Sequence, residues 1–444
     1  MESLILGEAL SPWLILPFVG LLLSIAVLPL VASEWFERLR NKALVAAVFG
    51  VPVVVYLVAE FGVVGRDKAL TTLEDYVSFV VLLLALFAIS GGIYLTGDPL
   101  GTPRNNLTFL AIGAVLANAV GTTGAAMLLV RPMLRANSER TKVRHIFIFL
   151  IFVVCNLGGL LTPLGDPPLF LGFLQGVSFT WTLRLAPQWL LANAIVLAVF
   201  FVLDRHYYRQ EPRSALAADA ADYVPIRLTG KINLLLLAGV IAAVVWSQPL
   251  ASVGEAVGFP FVRELVMLAM VALSLRFGPP GPRRLNHFSW APIAEVAIVF
   301  AGIFATMVPA LAILEAHGGQ LGLTNPWEYF WATGVLSSFL DNAPTYLTFT
   351  AAAQGFLGVP STGALMSTQA MPGFVASPAA FLAAISCGAV FMGAITYIGN
   401  APNFMVRSIA EKHGVPMPNF FHYMAWSAVV LVPVFALVTL VFFV

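Results

Sequence analysis

Two carboxylates stand inside stretches that are otherwise apolar. Asp166 lies in Thr162-Pro-Leu-Gly165-Asp166-Pro-Pro168-Leu-Phe170, in the middle of the apolar stretch His145–Leu174. Asp341 lies in Leu340-Asp341-Asn342-Ala343-Pro344-Thr345, inside Tyr329–Ala353. A carboxylate at membrane depth is expensive and marks a functional position, unless it serves only as a helix cap, a role that Asp and Asn also favour. Amide oxygens come from Asn118, Asn342 and Asn400, and hydroxyls from Thr122, Thr123, Thr162, Thr345 and Thr396. Bare carbonyls are offered by the breaks at Gly165 and Gly399. Oxygen donors of these kinds suit a hard cation such as Na⁺, with Asp166, Asp341, Asn118 and Asn400 as its expected ligands. No Lys or Arg interrupts these stretches, so a cation or proton is the simplest partner for the acids.

The elements that must position these groups are membrane helices. Of the 444 residues 59% are hydrophobic and 10% charged, whereas a soluble domain carries about 25% charged residues. The lipid bilayer is the solvent that suits such a chain, and the inner (plasma) membrane is the expected location. A net charge of +1 leaves no nucleic-acid footprint. Glu2 and Glu8, with no Lys or Arg beside them, do not form the basic start of a signal peptide, so the first apolar run is expected to stay as a membrane helix.

Apolar runs long enough to span, roughly 20 residues, are Pro12–Val31, Ala43–Phe61, Tyr76–Leu95, Ala186–Leu203, Ile232–Trp246, Phe261–Leu275, Trp290–Leu314 and Phe421–Val444. Four more, Leu107–Val130, His145–Leu174, Tyr329–Ala353 and Ala379–Val406, are interrupted by Gly, Pro and Asn. Connections rich in Lys and Arg belong in the cytoplasm. They carry Arg38, Arg40 and Lys42; Arg131, Arg135, Arg140, Lys142 and Arg144; the group from Arg205 to Lys231; and Arg276, Arg283 and Arg284. Gly318–Glu328 and Gln354–Pro378 hold neither residue and should face outward. Leu107–Val130 must then enter and leave from the cytoplasm and Tyr329–Ala353 from outside, as re-entrant hairpins. Both termini lie outside, and every basic residue except Arg66, Lys68, Arg184 and Arg263 is cytoplasmic.

The interrupted stretches match in pairs. Thr162, Gly165, Asp166, Pro168 and Phe170 correspond to Thr396, Gly399, Asn400, Pro402 and Phe404, and Asn118-Ala119 corresponds to Asn342-Ala343. An odd number of crossings turns the second copy over, and inverted repeats with broken helices belong to transporters. The expected fold is an all-α membrane protein of about 10 transmembrane helices plus two re-entrant hairpins in two inverted-topology repeats. Residues 1–204 form the first repeat, with its cytoplasmic-side hairpin at about 107–130. Residues 205–230 form a cytoplasmic linker, flexible over Ser214–Asp222. Residues 231–444 form the second repeat, with its outer-side hairpin at about 329–353.

Other polar residues carry less. Cys155 and Cys387 read as small buried residues without a metal partner. Glu295 is a candidate pathway residue, and Asp98 reads as a loop cap. Glu60, Glu264 and Glu315 can reach the interface. The six His, among them His145, His206 and His317, read as solvated or interfacial. Trp13, Trp35, Trp181, Trp246, Trp290 and Trp327 stand near run ends as interface anchors.

At these motifs the chain resembles the ion transporter superfamily, from about Tyr76 to Arg407. Leu116-Ala-Asn118-Ala-Val-Gly-Thr122-Thr123 looks like the Asn/Thr hairpin tips of that group. Asn156-Leu-Gly-Gly159 leading to Thr162-Pro-Leu-Gly165-Asp166 is similar to NhaD-type Na⁺/H⁺ antiporters. Leu340-Asp341-Asn342-Ala343-Pro344 is similar to the same group and to ArsB-type arsenite pumps. Where the NhaD-type break continues with hydroxyl residues, this chain has Pro167-Pro168. Citrate and dicarboxylate carriers share the architecture. The resemblance implies a homodimer with a scaffold part and a mobile transport part.

The expected function is secondary active transport by alternating access: a Na⁺/H⁺ antiporter in which protons and Na⁺ compete for Asp166 and Asp341. A citrate or dicarboxylate carrier, or an arsenite-type exporter, is the alternative. The expected partners are a small ion substrate and the lipid bilayer. The only cofactors expected are the coupling ions Na⁺ and H⁺. No nucleophile is paired with His or Lys at membrane depth, so an enzyme is not expected.

Overall fold

The computed structural model describes residues 2–374 and 376–444. The chain is mostly helical, as lipid requires of backbone that must satisfy its own hydrogen bonds. The first half holds α1 (Glu2–Ala9), α2 (Leu16–Val31), α3 (Ser33–Phe36), α4 (Leu39–Ser90), α5 (Pro103–Ala136), α6 (Arg144–Val153), α7 (Pro167–Leu174) and α8 (Ala186–Tyr208). Then come α9 (Arg213–Ala221), α10 (Ile232–Val245), α11 (Ser247–Val257), α12 (Val262–Phe277), α13 (Pro280–Leu285) and α14 (Ala291–His317). The last are α15 (Pro326–Phe339), α16 (Asn342–Leu357), α17 (Pro378–Met392), α18 (Ala401–Lys412) and α19 (Phe420–Phe442). Among the described residues, 8 helices are long and apolar enough to cross a membrane, or 9 if α10 and α11, bent by 72°, make one span.

One of these helices is folded on itself. α4 turns at Gly62, whose φ of 53° and ψ of −118° suit a residue without Cβ. Before the turn, Lys42 meets Glu295 and Gly50 meets Ala305 on α14. After it, the order reverses: Tyr76 packs on Phe304 at 5.7 Å, Phe79 on Phe300 at 4.6 Å, and Phe87 on Phe288, just before α14, at 5.3 Å. α14 therefore lies parallel to one arm and antiparallel to the other, and α4 carries the run expected at Ala43–Phe61 and residues 76–90 of that expected at Tyr76–Leu95, whose end leaves the helix.

α5 is a helical hairpin. Its turn is Gly121, at φ 77° and ψ 156°. The arms lie antiparallel, with Gly113 against Leu129 and a reciprocal amide pair between Asn106 and Asn137 at 3.0 and 2.9 Å. α15 and α16 make a second hairpin across Leu340-Asp341, closed by Tyr329 against Phe349 and Phe356. The segments Arg144–Leu161 and Pro378–Ile395 are 89% and 83% buried, against 17% for Pro12–Pro29. The broken helices are thus the core, wrapped by lipid-facing ones.

Four expectations are corrected here. Arg131 and Arg135 are not loop residues but continue α5, because nothing after Val130 stops the helix until Asn137. Ser214–Asp222 is not a flexible linker: it is mostly α9, and both Asp219 carboxylate oxygens accept the Gly101 N–H at 3.2 and 3.1 Å. The strand that follows, β2 (Val224–Thr229), pairs antiparallel with β1 (Tyr94–Asp98) and ties this connecting segment to the first part of the chain. His145 is not solvated: it is buried, with Nε2 2.9 Å from Asp204 Oδ1, which also accepts from Arg140 Nη2 at 2.6 Å. Glu264 does not reach the interface. It is buried, accepts from the Ser78 hydroxyl at 2.7 Å and pairs with Arg263.

Candidate functional site

Asp166 is the N-cap of α7, in extended backbone at φ −144° and ψ 143°. An N-cap side chain ordinarily accepts an N–H of the first turn. Here Pro167 and Pro168 occupy the first two helical positions and have no N–H to give. The carboxylate makes no capping bond and turns across the core instead. Its Oδ1 accepts from the Thr122 hydroxyl at 3.0 Å and from Asn400 Nδ2 at 3.1 Å, and its Oδ2 accepts from Asn342 Nδ2. Asp166 is only 1% exposed, and among the described residues no Lys, Arg or His forms an ion pair with it.

Each group around this carboxylate begins a helix. Thr122 follows the Gly121 turn, and its N–H donates to the Gly165 carbonyl at 2.9 Å. Asn342 opens α16 and Asn400 caps α18. Four helix N-termini, those of the second α5 arm, α7, α16 and α18, thus meet at one carboxylate, each contributing about half a positive charge. The Asn342 Oδ1 atom is buried and has no hydrogen-bond partner.

A family model described as "Putative citrate transport" (CitMHS_2) matches residues 7–443. The chain belongs to this family. Its relatives include an uncharacterized transporter of Synechocystis, 24% identical over 424 residues that cover 90% of this chain and 86% of that protein. An uncharacterized transporter of Mycobacterium tuberculosis is 24% identical over 344 residues, 74% of each chain. A 46 kDa membrane protein of Mycobacterium leprae is 24% identical over 339 residues, 71% of this chain and 72% of that protein. The protein is a multi-pass membrane transporter and not an enzyme.

The transporter brings together Asp166, Thr122, Asn342 and Asn400 from among the expected residues. Asp341 caps α16, accepting the Ala343 N–H at 3.0 Å, and lies close enough to Asp166 to repel it. Thr345 donates back to the Asp341 carbonyl at 2.9 Å, and half-buried Thr123 stands outside the carboxylate's bonded shell. Asn118 does not reach the carboxylate. Its Nδ2 donates to the Gly158 and Ala114 carbonyls at 2.7 and 2.9 Å, and its Oδ1 accepts the Leu161 N–H at 2.7 Å, so both ends of the amide are occupied. Asn118 pins the break to the hairpin.

Thr162 and Thr396 are staples. The first donates to the Asn118 carbonyl and the second to the Ser338 carbonyl. This bond pattern matches Asn118 with Ser338, and therefore Thr122 with Asn342, both donors to Asp166. The dipeptide match of Asn118-Ala119 to Asn342-Ala343 is displaced by one helical turn. Gly165 and Gly399 allow close backbone approach. A Cβ on Gly165 would stand 2.1 Å from the Gly159 carbonyl oxygen, and one on Gly399 2.7 Å from those of Gly393 and Ser337.

Two fully buried amides escaped the sequence reading as site residues. Asn156 Nδ2 donates to Asn403 Oδ1 at 2.8 Å, and Asn403 Nδ2 donates to the Gly393 and Thr396 carbonyls at 2.8 and 2.9 Å. They fasten the two broken helices where these cross. The signal was available: each is an uncharged amide beside a break, in a stretch otherwise built of apolar residues.

Proposed function

We propose that the transporter is a secondary carrier of a citrate-type organic anion, moved together with cations by alternating access. The observation that carries this reading is the meeting of four helix N-termini at a carboxylate with which, among the described residues, no Lys or Arg pairs, a setting suited to carboxylates. Membership of a citrate-transport family points the same way. Four N-termini supply about +2 in total, which the carboxylates of Asp166 and Asp341 already offset. A tricarboxylate would therefore need cations or protons bound with it, and this need couples the fluxes. Asp166, with the unpartnered Oδ1 of Asn342, is the expected seat of such a cation.

The same reading takes the two halves as inverted copies and the hairpins at Gly121 and Asp341 as re-entrant. Its support is the matched threonine staples, the matched glycine pairs and the antiparallel arms. The inner membrane location and the homodimer belong to this proposal.

Proteoliposomes test it. Labelled citrate should accumulate only when a Na⁺ or proton gradient is imposed, and unlabelled di- and tricarboxylates should compete. Na⁺/H⁺ exchange is favoured by one feature, a buried carboxylate without a fixed cation. If Na⁺ dissipates a pH gradient with no organic anion present, and citrate is not moved, exchange replaces the carrier reading.

A further inference from the structure

Arg131 has no place in the site just described, yet it is a charge in the wrong surroundings. It lies on the second arm of α5 and is only 9% exposed. Its Nε and Nη1 are sealed from solvent and have no hydrogen-bond partner. Among the described residues no carboxylate comes within ion-pair distance of it. The groups that act on it electrostatically are Tyr94 and Arg135. Arg135 is engaged elsewhere, donating to the Leu95 carbonyl at 2.6 Å, the Gly97 carbonyl at 3.0 Å and the Tyr94 hydroxyl at 2.7 Å. Tyr94 accepts that bond and gives its own proton to none of the described residues. An uncompensated buried guanidinium is costly, and an anion is what relieves it.

A cavity lies along the same helical face. It is lined by Ser90, Gly124, Met127, Leu128, His287 and Ser289. Arg131 follows Gly124, Met127 and Leu128 at helical spacings of seven, four and three, so it stands on the next turn beyond the cavity. Thr122 stands on the turn before it. From Thr122 to Arg131 the arm rises about 14 Å. Along the axis of the arm the cavity thus stands at a level between Thr122, which lies on the opposite face, and the hairpin base, the end that the basic residues assign to the cytoplasm.

We infer that Arg131, with the Tyr94 hydroxyl, forms a second anion-binding station on the cytoplasmic side of the transport path, and that it receives a carboxylate group of the transported anion. The inference rests on the carrier reading. A guanidinium takes a carboxylate through two parallel N–H donors, Nε with Nη2 or Nη1 with Nη2, and the Nε and Nη1 that complete these two forks are both unengaged.

Right-side-out and inside-out vesicles, assayed with labelled citrate, test it. Arg131→Gln should raise the half-saturation on the cytoplasmic side about tenfold or more and leave the outer side unchanged. Arg131→Lys should recover part of the loss. Arg131→Met, purified without citrate, should unfold at or above the wild-type temperature, because an unrelieved charge has been removed. An equal loss on both sides, or a lower unfolding temperature for Arg131→Met without citrate, would make Arg131 structural and overturn the inference. So would a wild-type protein stabilised by phosphatidylglycerol through Arg131 but not by citrate, since the anion would then be a lipid phosphate. Wild type that moves no citrate overturns the carrier reading. Wild type that moves it, with an unaltered cytoplasmic half-saturation in Arg131→Gln, overturns the Arg131 assignment alone.

Discussion

The break at Asp166 and the break at Asn400 have nearly the same backbone and opposite roles. Both residues are extended N-caps, at φ −144° and −151°, before a helix with proline in its first turn. Both follow a threonine staple and a tight glycine pair. One side chain is a carboxylate that only accepts; the other is an amide that donates to it. A single change of side-chain chemistry on a shared frame makes one break the acceptor and the other a donor to it. Charge placed on both breaks would repel at hydrogen-bond distance, so two like frames with one acid between them are the lower-energy arrangement.

The largest effect should come from removing that asymmetry. Asp166→Asn is expected to reduce transport to background, on the order of a hundredfold or more, because the substituent keeps the shape without the charge. Size-exclusion profiles should show folded protein. Normal transport by this variant would reduce Asp166 to a helix cap.

The glycine pairs should separate the breaks by stability. Gly165→Ala must open a 2.1 Å overlap with backbone, whereas Gly399→Ala meets 2.7 Å contacts. Overpacking costs of about 3 kcal/mol or more for the first and about 1–2 kcal/mol for the second are expected from the unfolding temperature in detergent. Equal losses would mean that the two breaks pack alike.

Asn400→Asp should make the breaks alike in charge. The introduced carboxyl would stand where an amide now donates at 3.1 Å to Asp166. Two carboxylates so close must share a proton. Transport by this variant should survive at acid pH and fall as pH rises, in a profile displaced toward acid relative to the parent. An unaltered pH profile would break the comparison.

The smallest effect tests which residues are partners. Thr122→Val removes one donor to Asp166 and should lower transport about tenfold, near 1.4 kcal/mol, with Thr122→Ser close to the parent. Asn118→Ala should lower stability but leave the cation dependence unchanged. If instead Asn118→Ala alters the cation dependence and Thr122→Val does not, the pairing read from the sequence is the better one.

Much of this protein follows from the sequence by itself. A chain with 10% charged residues must lie in lipid, and its apolar runs must be helices. Pro and Gly weaken helices locally, and where they cluster with Asp or Asn they mark breaks, so those at Gly165-Asp166 and Gly399-Asn400 were visible without a fold, although single prolines such as Pro52 and Pro309 lie inside helices. The tertiary structure decided what the polar side chains do. Asn118 and Thr122 lie one turn apart on one hairpin, and only the docking of the Thr162 break against it determines which of them faces Asp166. His145 reads as interfacial until Asp204 and Arg140, from two other segments, close around it. Arg131 reads as a loop cation until the arm that bears it is buried against Tyr94. Hydropathy and chain breaks are properties of neighbouring residues, whereas hydrogen-bond partners 44 to 234 positions apart are settled only when the helices pack.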